Sequence, residues 1–143
     1  MILLVGELRA EITNSFNLLN DTRYIIEQVS INLYMHNSPA GTFAVDIMSG
    51  IDTIESREFT SSDIKTSYDT TDDYIHGFFP LTFNTKLTRG TYSLRLRPVS
   101  GYAYDSDSFL SWKKDWDGFY LPEFADREQD YPYSFRLVTK NDY

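Results

Sequence analysis

Apolar and polar positions alternate along most of the chain, and the alternation predicts strands rather than helices. Val29, Ile31, Leu33 and Met35 share one face of a segment whose other face carries Gln28, Ser30, Asn32 and Tyr34, the period-2 pattern of a half-buried strand. Asn37-Ser-Pro-Ala-Gly41 reads as a turn. Phe43, Val45 and Ile47 then alternate with Ala44, Asp46 and Met48 up to a second turn at Ser49-Gly50, which makes a hairpin. The return segment from Thr53 to Phe59 carries Glu55, Arg57 and Glu58, as an exposed or edge strand would. Between Tyr74 and Phe83, Ile75, Gly77, Phe79 and Leu81 oppose Tyr74, His76, Phe78 and Pro80, and the proline indicates an edge or a bulge. After a turn at Thr88-Arg89-Gly90, Tyr92, Leu94 and Leu96 alternate with Ser93, Arg95 and Arg97 in the cleanest strand of the sequence.

Met1 to Val5, Phe109 to Lys113 and Tyr133 to Thr139 bring the set to about eight strands. Ser61-Ser-Asp63 opens a polar stretch that offers a loop or one short helical turn capped by Ser61 or Ser62. Ala10 to Asp21 fits a strand or a loop. Short strands, glycine-bearing turns and no long amphipathic helix predict an all-β fold, a two-sheet antiparallel β-sandwich with jelly-roll topology. Val29, Ile31, Leu33, Phe43, Val45, Ile47, Leu94 and Leu96 are the expected core.

At 143 residues the chain is expected to form a single domain spanning residues 1–143. A hydrophobic fraction of 41% with only 24% charged residues excludes a disordered chain. A formal charge of −8 without a basic stripe argues against nucleic-acid binding and leaves protein, glycan or cation partners. With no cysteine, neither disulfides nor thiolate metal sites are available, and the compartment cannot be read from redox chemistry. The opening Met-Ile-Leu-Leu-Val is too short for a signal sequence and lacks a basic flank, and no apolar run approaches the roughly 20 residues of a membrane span.

One segment departs from simple alternation. Residues 102–131 form a long aromatic and acidic stretch, with Tyr104, Trp116, Phe119, Tyr120, Phe124 and Tyr131 set among Asp105, Asp107, Asp115, Asp117 and further carboxylates. Aromatic rings give large contact area at low entropic cost, and carboxylates keep such a segment soluble, so this composition suits docking onto a protein or a sugar. Those six aromatic residues are the candidate contacts.

The segments Ile-Glu-Gln-Val-Ser-Ile (26–31), Ser-Pro-Ala-Gly (38–41) with Phe-Ala-Val-Asp-Ile (43–47), Tyr-Ile-His-Gly-Phe-Phe (74–79), Leu-Thr-Arg-Gly-Thr-Tyr-Ser-Leu-Arg-Leu (87–96) and Phe-Leu-Ser-Trp (109–112) occur in this order. Together they resemble the jelly-roll domains of phage virion proteins, which are in turn similar to carbohydrate-binding modules. The resemblance covers about two thirds of the chain and rests on packing motifs. It implies a non-enzymatic sandwich located in a virion, where it decorates a particle, joins its parts or touches a glycan.

Catalytic chemistry finds no constellation. His36 and His76 are the only histidines, and neither accompanies a Gly-x-Ser-x-Gly nucleophile motif, so a partly exposed turn residue and an outward strand residue are the expected roles. Asp105, Asp107, Asp115 and Asp117 have the close spacing of a hard-cation site, but the twelve-residue calcium loop with its glycine and terminal glutamate is missing. No cofactor is expected. Trp112 follows Phe109-Leu110 as a core residue would, leaving Trp116 or Tyr120 for glycan stacking. Arg95 and Arg97 are expected to pair with acidic neighbours across the sheet. Two readings follow: a capsid decoration or cement protein in contact with capsid proteins or copies of itself, and a glycan-binding attachment module.

Overall fold

The computed structural model describes residues 5–19, 23–113 and 133–141. Among them lie nine strands and one helix: β1 (Val5–Glu7), β2 (Ile12–Leu18), β3 (Tyr24–His36), β4 (Thr42–Ser49), β5 (Asp52–Thr60), α1 (Ser61–Ser67), β6 (Ile75–Leu87), β7 (Gly90–Ser100), β8 (Phe109–Lys113) and β9 (Phe135–Asn141). One sheet has the order β1-β8-β3-β6, and the other β2-β7-β4-β5. β6 runs along the whole of one edge of β3, so β8 and β9 share the opposite edge, β8 against Leu33–His36 and β9 against Tyr24–Ile31. All pairings are antiparallel. Apart from the β4–β5 hairpin, each strand up to β8 crosses to the opposite sheet, which is the winding of a jelly roll.

The eight expected core residues, from Val29 to Leu96, are all 0% exposed and lie in one cluster between the sheets. β2 settles the ambiguous segment as a strand: Ile12, Asn14, Phe16 and Leu18 are buried and Thr13 and Ser15 are exposed. The outward faces of β3 and β4 depart from half-burial, since Ser30, Asn32, Ala44, Asp46 and Met48 are buried as well. Both are central strands, and long side chains from their neighbours cover them. Arg136 and Phe78 flank β3 and meet in a cation–π contact at 3.8 Å, and Arg95 and Arg97 of β7 lie against Asp46. The helix cap is a correction. Thr60, not Ser61 or Ser62, is the N-cap of α1 and forms a capping box with Asp63, while the Ser61 hydroxyl donates to the Pro39 carbonyl.

Within the described sheets β5 and β6 are edges, as Glu55, Arg57, Glu58 and Pro80 indicated. Glu55 and Arg57 sit opposite the inward-facing Ile47 and Val45, so they point toward the edge of the other sheet, with 41% of the Arg57 side chain still exposed. Glu55 accepts from the Asn84 N–H and the Thr85 hydroxyl, and Arg57 Nε donates to the Thr82 carbonyl at 2.8 Å. The clasp joins the two edges, and inward charges of this kind also discourage edge-to-edge pairing with another chain.

The Ser-Pro-Ala-Gly turn has a steric cause. Gly41 adopts φ +101°, and a Cβ there would lie 2.5 Å from the Ser100 carbonyl oxygen and 2.7 Å from the Tyr102 nitrogen. Both the dihedral and the backbone approach demand glycine. Gly41→Ala should therefore cost about 1–3 kcal/mol from backbone strain, plus the displacement of residues 100–102. A urea midpoint within error of wild type would contradict this.

Candidate functional site

The described residues place the base of the aromatic segment in the middle of a sheet. β8 ends at Lys113, and Ser134 resumes the same line, its N–H donating to the Lys113 carbonyl at 2.9 Å. The Ser134 carbonyl accepts from the Asn32 N–H at 3.0 Å and from Trp112 Nε1 at 2.8 Å. From the other sheet, buried Asn14 donates through Nδ2 to the Tyr133 carbonyl at 2.6 Å, and the Tyr133 ring packs on Trp112 with centroids 5.4 Å apart. β8 and β9 are thus two halves of one strand line, interrupted by residues 114–132 and clamped where the chain leaves and returns. Trp116, Phe119, Tyr120, Phe124, Tyr131, Asp115 and Asp117 lie outside the described residues.

Two parts of the aromatic stretch are ordered against the sandwich. Tyr102 is partly buried: its ring packs on Phe43, and its hydroxyl donates to the Leu8 carbonyl at 2.6 Å. Phe109–Lys113, which falls inside that stretch, is the regular strand its sequence predicted. Trp112 is core, as its place after Phe109-Leu110 implied.

Tyr104 belongs to a ledge of rings brought together by strand pairing. On the outer face of the β1-β8-β3-β6 sheet, Tyr34 stacks on His76 at 4.5 Å and His36 stacks on Phe109 at 4.9 Å. Tyr74 meets the His36 ring edge-on at 5.0 Å, and Tyr104 lies 5.6 Å from Phe109. Arg9 sits over the Tyr104 ring at 3.8 Å, and the Tyr104 hydroxyl donates to Glu7 at 2.6 Å. Strand register assembles this ledge, because Tyr34 is opposite His76 and His36 is opposite Phe109. The signal was present in the sequence: Tyr34, Tyr74, His76 and Phe78 all fall on the face that alternation assigns to solvent.

Among the described residues both histidines pack against aromatic rings. The Tyr34 hydroxyl and His36 Nδ1 are in hydrogen-bond contact at 2.9 Å. Burial, and secondarily the Lys113 ammonium, lowers the His76 pKa below its ordinary value, so at neutral pH its ring is an uncharged stacking partner. An NMR titration should give His76 a midpoint below about 6.5, moving upward in Lys113→Gln. A midpoint above that value would contradict the packing.

Asp105 and Asp107 use their polar groups within the loop. Asp105 Oδ1 accepts from the Asp107 N–H at 2.8 Å, and the Asp105 carbonyl accepts from the Ser108 N–H at 3.0 Å. Among the described residues no group of three or more histidine, cysteine or acidic side chains is arranged to hold a metal ion.

The outer face of the other sheet is chemically different. Asp46, 0% exposed, accepts from Arg95 Nε at 2.8 Å and Arg97 Nε at 2.7 Å on one carboxylate oxygen, and from the Ser56 hydroxyl on the other. This is the cross-sheet pairing expected of the two arginines. Burial pushes the Asp46 pKa up, but the bonds from Arg97, Ser56 and Arg95 together outweigh it and hold the carboxyl below its ordinary value. No protein-family model, curated protein or solved structure matches the chain.

Proposed function

We propose that the chain is a non-enzymatic structural protein of a virion, of the capsid-decoration or cement kind. The sandwich is a rigid spacer, and the ring ledge and residues 114–132 hold neighbouring capsid proteins or further copies of the same chain. The observation that carries this reading is the contiguous set of partly exposed rings from Tyr74 to Tyr104 on the outer face of the sheet interrupted by the aromatic segment. Interface cores favour tyrosine, tryptophan and phenylalanine, and an uncovered patch of such rings is an aggregation hazard for a free monomer. The formal charge of −8 favours a partner surface that is neutral or basic.

The test is incorporation into particles. Trp116→Ala combined with Tyr120→Ala, and separately Phe109→Ala, should leave the isolated protein folded but remove it from assembled particles. Each central aromatic anchor contributes about 2 kcal/mol or more, so losing two weakens docking by roughly a thousandfold. Normal incorporation of both variants would reject the docking role. If incorporation were normal and sugar binding on a glycan array were lost, residues 114–132 would belong to attachment instead.

A further inference from the structure

We infer that the outer face of the β2-β7-β4-β5 sheet carries a binding site for one neutral, hydroxylated ring, a pyranose of a glycan. It is a depression of about 210 Å³ lined by Glu11, Thr13, Met48, Ile51, Ser93 and Arg95. This site is on the opposite sheet from the ring ledge and does not depend on the particle role proposed above. Its volume lies below the roughly 300 Å³ at which pockets begin to enclose drug-sized molecules, so a single ring fits and an extended ligand does not.

The lining chemistry selects the ligand class. Arg95 supplies donors, the Glu11 carboxylate supplies acceptors, and the Thr13 and Ser93 hydroxyls can do either, which matches neighbouring sugar hydroxyls that each donate and accept. The charges of Arg95 and Arg97 are balanced by Asp46 and Glu11, so a free anion would meet Glu11 and a free cation would meet Arg95. Arg95 is already oriented: its Nε and Nη2 both lie 2.8 Å from buried Asp46 Oδ2, while its Nη1 stands 3.6 Å from Glu11. The separation from Glu11 exceeds a hydrogen bond, so both groups keep capacity for a ligand, and the guanidinium loses little further freedom on binding. The apolar side of the ring would lie against Met48 and Ile51. Gly50, at φ +61°, turns the β4–β5 hairpin so that Ile51 stands 94% exposed at the rim.

The test is an NMR titration of the full chain with methyl pyranosides of glucose, galactose and mannose, followed by backbone amide shifts. At least one should give saturable shifts at Thr13, Gly50, Ile51, Ser93 and Arg95, with none at Tyr34 or His76. Thr13→Trp, at the position paired with Arg95 across the sheet, fills the depression and should abolish those shifts at an unchanged melting temperature. Glu11→Gln should weaken binding about tenfold by removing a charged acceptor. Absence of saturable shifts with all three pyranosides, or shifts that persist in Thr13→Trp, would overturn the site.

Discussion

Trp112→Ala is expected to lower the unfolding free energy by about 3–5 kcal/mol, the range for emptying a large aromatic core position. Trp112 is the largest fully buried side chain among the described residues. Its indole N–H bonds to Ser134 and its ring carries Tyr133, so it packs the core and also closes the strand line that residues 114–132 interrupt. Total stabilities of about 5–15 kcal/mol make this loss a large fraction of the whole. Trp112→Phe keeps most of the apolar volume and gives up the N–H, so about 1–2 kcal/mol should separate it from wild type. The Ser134 carbonyl still accepts from Asn32 in that variant. Urea unfolding with an unchanged m-value measures both. A loss below about 1 kcal/mol for Trp112→Ala would mean that the indole does not hold the junction.

Asp46→Ala is expected to be comparably damaging, because it leaves two guanidiniums side by side without their shared carboxylate. Removing one partner of a buried ion pair costs about 3–5 kcal/mol, and the lower end applies here because the arginines keep 22% and 32% of their side-chain surface in water. The pH dependence follows from the same contacts. The folded-state pKa of Asp46 is depressed, so its contribution is fully present above the unfolded value of about 3.9 and disappears as pH falls through the lower folded value. Glu55 is shifted the same way: burial raises it, and the bonds from Thr85, Asn84 and Arg57 more than offset that. Stability should therefore fall below about 4 as these two carboxylates protonate, after a smaller decline below about 6.5 from His76, whose lowered folded pKa lets the unfolded chain bind its proton first. Asp46→Asn should be less stable at pH 7 and show a flatter acid limb. An unaltered acid limb in Asp46→Asn would contradict the assignment.

Strand positions and the core were legible in the sequence because β4 and β7 alternate with period 2 and their inward residues are almost all apolar. Edge positions were legible too, through Pro80 on β6 and the charges on β5. Features that depend on register were not. Nothing local indicates that Tyr34 and His76, or His36 and Phe109, come together, since pairing between strands distant in sequence sets those contacts. Full burial of Asp46 was equally hidden: alternation places it outward, and only the arginines opposite show that this outward position is covered. β2 was ambiguous because Asn14, a polar residue, occupies an inward position where it bonds to the Tyr133 carbonyl. The Thr60 cap was missed because Ser61 and Ser62 compete with it as cap formers in the sequence.

The central claim, that the ring ledge and residues 114–132 make this chain a structural component of a virion, is tested most directly by quantitative mass spectrometry of particles produced with the gene for this chain. Recovery of the chain at a fixed copy number relative to the capsid subunit through density-gradient purification, with loss of that signal in Trp116→Ala combined with Tyr120→Ala, is the predicted result. Particles that assemble normally and contain none of the wild-type chain would contradict it.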